Sequence, residues 1–327
     1  MSDQLLSTAE IPETLWAPDI PLGDKVPKGA LSLPTILSTA YVDTLAEMGL
    51  LEQAEDIENR QSGRIGGIDP KESRDYFAEN FSGSCGRTQL FCLDPHFTFK
   101  TTRDALVSIF SGGKLTILDI PSGAGAGTAT LLSLVAQLRS EGVLPRVDLQ
   151  INVVGGEISP TSRSIAADVF QKLQVGWRDC GMDVQFQFED WDVKSDESTG
   201  DLVEKWEATF EGRTGLLLGN NFSGFLGRPI VKGNPKRWID EVNGQIRMIL
   251  IKVSSKGFST FWLEPATKIA KEQFFPRMDA VFDRYQRIAP VFKGHPQSFA
   301  ELRDPVVEDA HFAVRSTGAH LEPTHHR

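Results

Sequence analysis

The sequence lacks the residues that staple or metallate a fold. It has three cysteines, Cys85, Cys92 and Cys180, with no C-x-x-C pair. That odd, unspaced set excludes a disulfide framework and, with no secretory signal in view, points to a reducing cytoplasm. Its six histidines, His96, His295, His311, His320, His325 and His326, show no H-x-x-x-H or H-E-x-x-H spacing. No metal centre is expected; the terminal HLEPTHHR reads as a frayed end. Long apolar runs are also missing. The richest, Ile246–Val253, is broken by Arg247 and Lys252, far short of the roughly 18–20 residues that span a membrane. No membrane partner is expected. Nor is there an excess of positive charge. A net charge of −10 argues against a protein that binds nucleic acid over its whole surface. No internal repeat or low-complexity tract is visible, and no motif sets an oligomeric state.

What is present is ordinary for a globular chain of 327 residues, with 40% hydrophobic and 24% charged residues. That length suits one large domain, or a smaller one with an added piece. Charge is uneven. Between Arg228 and Arg303 there are fourteen Lys and Arg against seven Asp and Glu, which leaves room for a local anionic partner or for ordinary solvated helix faces.

The first thirty residues, proline-bearing and without period, read as an irregular arm. Helical spacing follows in LPTILSTAYVDTLAEMGLLEQAEDIENR, then a short helix in ESRDYFAENF. SGSCGRTQLFCLDPHFTFK has no clear period and reads as a long connector. TTRDALVSIFSGG reads as a helix closed by Gly-Gly. From Lys114 strands and helices alternate. LTILDI, VDLQINVVGG, MDVQFQFED, TGLLLGNNF, IRMILIKVSS, STFWLEP and AHFAVRST read as strands. GTATLLSLVAQLRSEG, SPTSRSIAADVFQKLQVGWRDCG, LVEKWEATFEG, NPKRWIDEVNGQ and TKIAKEQFFPRMDAVFDRYQRI read as helices. Ser159 is placed to N-cap one of these, with Pro160 at its first position. Such alternation builds a doubly wound α/β fold, a mostly parallel sheet with helices on both faces.

The bare stretch Pro121–Gly127 joins a buried strand to a helix. In doubly wound sheets ligands bind at that carboxyl edge, and glycines let them approach the main chain. Two nucleotide motifs fail. A dinucleotide fingerprint started at Gly123 or Gly125 ends on Thr128 or Thr130, and a phosphate loop has no match at Gly113–Lys114. Asp119 before the turn, then Pro121, Gly123 and Gly125, instead resembles the first motif of the class I S-adenosylmethionine-dependent methyltransferases, with proline in place of the first glycine. The resemblance covers roughly residues 97–317. It implies a seven-stranded Rossmann-like methyltransferase sheet with the last strand antiparallel, and S-adenosylmethionine as cofactor. Residues 1–96 then form an N-terminal helical extension over the acceptor pocket, and 318–327 a flexible tail.

The same resemblance assigns site residues. Asp119, Ser122, Gly123 and Gly125 would face the cofactor's amino-acid end. Glu157 would hold both ribose hydroxyls, as a carboxylate accepts two donors at once, with Ile158 against the adenine. Asp190 or Asp192 would take the adenine amino group, Asp190 being preferred, with Trp191 covering the ring. Asn220 and Asn221 would sit beside the methyl donor. Candidates near the mouth for proton handling are Tyr76, His96, Asn221 and His295. The expected activity is methyl transfer to a small-molecule acceptor. RNA or protein docking on the basic 228–303 region is the alternative, and a methyltransferase-like binding protein without turnover the third reading, since no N-P-P-[YF] motif follows the fourth strand.

Overall fold

The computed structural model describes residues 10–18, 29–56, 67–99, 101–210, 212–278 and 296–321. In chain order come β1 (Trp16–Ala17), β2 (Ala30–Leu31), α1 (Thr35–Met48), α2 (Leu51–Glu55), α3 (Pro70–Leu93) and α4 (Thr102–Phe110). The alternating part follows with β3 (Lys114–Ile120), α5 (Ala126–Ser140), β4 (Leu149–Glu157), α6 (Pro160–Asp179), β5 (Met182–Asp190), α7 (Asp196–Ala208) and β6 (Thr214–Asn220). Then come α8 (Ser223–Leu226), α9 (Trp238–Glu241), α10 (Asn243–Ser255), β7 (Ser259–Pro265), a π-helical turn (Ala270–Phe274), β8 (Gln297–Arg303) and β9 (His311–Leu321).

These strands form one nine-stranded sheet in the order β1-β2-β8-β9-β7-β6-β3-β4-β5. β5, β4, β3, β6 and β7 run parallel, and β9 lies antiparallel between β7 and β8. The expected seven-stranded, mostly parallel core is therefore present, extended by two two-residue strands. The central strands are largely apolar because both faces are covered. Leu216 and Leu218 of β6 face one core and Leu217 the other. The first core holds α1, α3, α5 and α6, the second α7, α9 and α10. The N-terminal helices thus share a core with the sheet.

Four sequence expectations need correction. IRMILIKVSS is the helix α10, not a strand: Ile246, Ile249, Leu250 and Val253 are buried at helical spacing. β8 was not visible in the pattern, so the strand total matched for offsetting reasons. The supposed connector after Phe81 continues α3 to Leu93. Its Ser and Gly residues are poor helix formers, but they allow close packing. A Cβ at Gly86 would stand 2.8 Å from Leu302 of β8. Pro276 breaks nothing before Met278, and the remainder of that helical stretch lies outside the described residues, as do 322–327 and His295. β9 reaches Leu321, past the boundary expected at 317, and buries His320, whose Nδ1 lies 2.8 Å from Thr101 Oγ1.

Glycines in the central strands make room for rings lying across the sheet. A Cβ at Gly219 would approach the Trp262 ring to 2.6 Å, and one at Gly215 the Phe258 ring to 2.2 Å. Trp262 is fully buried and has nowhere to move. Gly219→Ala is expected to destabilise the fold by about 1–3 kcal/mol through overpacking, read as a lower midpoint in urea unfolding; an unchanged midpoint would contradict this packing.

Candidate functional site

β3 ends at Ile120, and a cis peptide leads into Pro121. The chain then turns through Ser122 and Gly123 into α5, with Gly125 as its N-cap. The two turn glycines do different jobs. Gly125 (φ 80°) is walled by Phe170, whose Cε2 would lie 2.8 Å from an added Cβ. Gly123 (φ 54°) has nothing within 4 Å of that position, so its bare Cα looks into open space.

That space is a cavity of about 470 Å³ at the carboxyl edge of the sheet, within the usual range for small-molecule and cofactor sites. One wall is the turn and strand ends: Ser122, Gly123, Glu157, Ile158, Trp191 and Asn220. The facing wall is α3, through Tyr76, Asn80, Ser84 and Arg87. Asn221, at a left-handed φ of 54°, joins the two. Its Oδ1 accepts from Arg87 Nε at 3.2 Å, and its Nδ2 donates to Ser84 Oγ at 2.8 Å.

Glu157 ties the site together. Its Oε2 accepts the Gly123 N–H at 3.1 Å and its Oε1 the Ser159 N–H at 2.9 Å. Burial pushes its carboxyl up, while those N–H groups and Arg163 pull it down. Ser159 caps α6 as expected, accepting from the Ser162 N–H. Trp191 is buried beside the cavity, with Nε1 donating to Thr199.

Asp119, Asp190 and His96 stand off the wall. Asp119 lies under the turn, where Oδ2 accepts from Thr128 Oγ1 at 2.7 Å and Oδ1 is buried without a partner. Asp190 points outward and pairs with Arg163 at 2.9 Å; its side chain is 75% exposed, whereas Asp192 lines the cavity. His96 is set against Trp16, with Nε2 3.2 Å from Phe299 O, away from the cavity. Tyr76 and Asn221 are on the wall. Asp192, the alternative to Asp190 in the sequence, also lines it, as do Asn80, Ser84, Arg87 and Lys194, which went unread there. The signal that could have found the three missed α3 residues is their spacing from Tyr76, which the sequence did offer: Tyr76, Asn80, Ser84 and Arg87 recur every three or four positions.

The residues present suit a nucleoside with an amino-acid tail. Ser122 Oγ and Asn220 Oδ1 are buried on the wall without protein partners, and Gly123 leaves room where a side chain would intrude. Glu157 keeps lone pairs free for hydroxyl donors. Among the described residues no cluster of three or more His, Cys, Asp or Glu is placed to hold a metal, and no helix is long and apolar enough to cross a membrane.

No family model and no curated protein matches the chain. Solved structures do. A protein provisionally described as an RNA methyltransferase from Pyrococcus horikoshii is 12% identical, over 69% of this chain and 82% of its own, with a TM-score of 0.34. One provisionally described as a class I S-adenosylmethionine-dependent methyltransferase from Listeria monocytogenes is 11% identical, over 89% and 86%, with a TM-score of 0.33. The glycopeptide N-methyltransferase MtfA, complexed with sinefungin, is 11% identical, over 67% and 70%, with a TM-score of 0.27. At these scores the chain's own strand order and cavity, not the overlaps, carry the functional argument.

Burial lifts the Asp119 carboxyl to about 7. The folded chain therefore keeps its proton up to about that pH, while the unfolded chain releases it near pH 4. Between those values the folded state holds the extra proton, so this contribution is full at low pH and is lost as pH rises towards 7. Asp119→Asn, which cannot ionise, is expected to flatten the decline in Tm between pH 4 and 8. Thermal unfolding of the ligand-free protein checks it, and a slope equal to wild type would contradict the assignment.

Proposed function

We propose that the protein is an S-adenosylmethionine-dependent methyltransferase acting on a small molecule. The observation that carries this is a single cavity walled on one side by the Gly123 turn and Glu157 and closed on the other by a polar face of α3. In this reading Glu157 accepts both ribose hydroxyls, Ile158 and Trp191 flank the adenine, and Asp192 is better placed than Asp190 for its amino group. Ser122, Gly123 and Asn220 border the amino-acid tail. When bound, S-adenosylmethionine supplies a methyl group already activated on a sulfonium.

The chain's part is chiefly positioning. Ser122, Gly123 and Glu157 would hold the donor so that an acceptor on the α3 side could take the methyl group in line, the sulfur retaining the electron pair of the broken bond. Holding the partners in line can supply about 7–11 kcal/mol. A base is required only where the acceptor atom carries a firmly held proton. Burial raises the Tyr76 hydroxyl above its ordinary value, against the pull of nearby Arg87. At neutral pH Tyr76 is thus a hydrogen-bond donor that orients the acceptor. Glu264 acts from behind the wall. It accepts the Phe222 and Ser223 N–H groups at 3.0 and 2.9 Å and Trp262 Nε1 at 3.0 Å, fixing the segment after Asn221.

The excess of basic residues between 228 and 303 supports a macromolecular acceptor less than its count suggests. Lys236 pairs with Glu241, Lys252 and Lys256 with Glu207, Lys268 with Glu272, and Arg277 with Asp240. Those cations are partly neutralised, which favours the enclosed small-molecule site. The three buried free cysteines fit a reducing cytoplasm.

Two measurements test this. Glu157→Ala removes charge-assisted hydrogen bonds of roughly 1.5–3 kcal/mol each, so affinity for S-adenosylhomocysteine is expected to fall at least about tenfold by calorimetry, while Asp190→Ala leaves it nearly unchanged. Unaltered binding in Glu157→Ala would overturn the donor site. Labelled donor incubated with cell extract is expected to mark the metabolite fraction. Label in RNA or protein would overturn the small-molecule acceptor, and label in no fraction would favour a binding protein without turnover.

A further inference from the structure

α3 is buried along most of its length, yet one stripe of it is polar. Tyr76, Asn80, Ser84 and Arg87 follow one another by four, four and three residues, and all four line the cavity. Helical spacing sets such positions on one face. Polar groups on a buried helix are costly unless something satisfies them. This stripe is short of acceptors. Arg87 donates through Nε to Asn221 and through Nη2 to Ser84 Oγ at 2.9 Å. A guanidinium has five N–H donors, so most of its capacity is unspent. No carboxylate lies within ion-pairing distance of Arg87 among the described residues. Asn80 Nδ2, also on this wall, is buried without a partner.

We infer that this stripe recognises a carboxylate on the methyl acceptor, with Arg87 pairing to it and Asn80 adding a hydrogen bond. The inference rests on the donor reading given above. That reading also separates the acceptor's carboxylate from the donor's own. Neighbouring strands lie about 4.8 Å apart. Glu157 ends β4, the glycine turn ends β3, and Asn221, which holds Arg87, follows β6, one strand further on. A donor whose ribose sits at Glu157 brings its tail to the start of α5. There Ala126 and Gly127 line the cavity, and first-turn N–H groups of this 15-residue helix have no intrahelical acceptor. Beyond Asn221 the cavity continues to Pro265, which ends β7, and Thr267 just after it. That room, with Arg87 at its edge, belongs to the second substrate.

The surroundings narrow the class. Glu264 interacts electrostatically with both Arg87 and Tyr76, so a dianion such as a phosphate monoester meets repulsion that a monoanion largely escapes. A planar carboxylate matches the guanidinium fork. Phe77, Phe81, Phe225 and Ile269 supply apolar surface on the same cavity. The acceptor is an apolar-bodied monocarboxylate.

Calorimetry on the full chain tests this with S-adenosylhomocysteine as donor stand-in, and 3-phenylpropanoate, its neutral amide and phenyl phosphate as probes. With S-adenosylhomocysteine saturating, the carboxylate is expected to bind at least about tenfold more tightly than the amide or the phosphate, a charge-assisted pair being the difference. In Arg87→Gln that preference disappears, while S-adenosylhomocysteine affinity changes less than about threefold. Equal binding of carboxylate and amide, preference for the phosphate, or no binding of any probe overturns the inference. So does a tenfold loss of S-adenosylhomocysteine affinity in Arg87→Gln, which would give Arg87 to the donor. Should that variant not fold, the wild-type comparison of carboxylate with amide still decides. Failure of wild type to bind S-adenosylhomocysteine sinks the donor reading, and this inference with it; binding of S-adenosylhomocysteine without carboxylate preference sinks only the inference.

Discussion

The Glu157 carboxylate is the constraint on which the site depends. One oxygen accepts from Gly123 in the turn after β3, and the other from Ser159 at the head of α6. Three elements meet at one partly buried group. The arrangement is possible because β3 and β4 pair in parallel through Asp119 and Gly155, which brings both strand ends to the same edge. A carboxylate is the side chain that suits this place. It accepts two backbone N–H groups and retains lone pairs for a ligand's hydroxyls, which an amide or a hydroxyl could not do together. Burial raises its proton affinity, and the N–H donors and Arg163 oppose that rise. Ordering the turn and preparing the ligand site are thus one interaction.

Beneath the turn, Asp119 performs a related task from inside the core. Its bond to Thr128 Oγ1 fixes the first turn of α5 to the end of β3. The unpartnered Oδ1 beside it is a cost the fold bears at its binding edge. Glu264 does the same for the segment after β6, through three N–H donors. Three acidic residues at or near the ends of β3, β4 and β7 therefore organise the loops that surround the cavity. Burial holds Asp119 and Glu264 near 7, so their charge state is sensitive to what occupies the space above them.

The motif-bearing strands are legible in the sequence because their order repeats one local pattern. An apolar run buried on both faces, a small or acidic residue at its end, and a capped helix can each be read within about a dozen residues. That suffices to bring Gly123, Glu157, Trp191 and Asn220 to one rim. It does not say which way a side chain turns after a strand ends. Asp190 and Asp192 are two residues apart, yet one pairs with Arg163 in solvent and the other lines the cavity. α10 misleads for a similar reason. Ile249, Leu250 and Ile251 form a run that suits a strand, and the helical period appears only when Ile246 and Val253 are counted with it.

The second half of α3 is hidden for a deeper reason. Ser82, Gly83, Ser84 and Gly86 have weak helix propensity, and nothing local holds them in a helix. Distant contacts do: the helix lies against β8 and β9, where Gly86 admits Leu302 and Val314, and Thr88 receives a hydrogen bond from Asn220 Nδ2 at 3.2 Å. The small residues that obscure the helix are what let it approach the sheet edge closely. That approach brings Asn80, Ser84 and Arg87 over Asn221. Doubly wound sheets share the rim that β3 and β4 provide, so the rim speaks to the kind of ligand. The helix laid across it forms the facing wall of the cavity, and Arg87 on it keeps donors unspent. The small residues that let this helix pack closely and the polar ones it turns to the cavity both weaken its local propensity, so distant contacts rather than its own sequence set its extent.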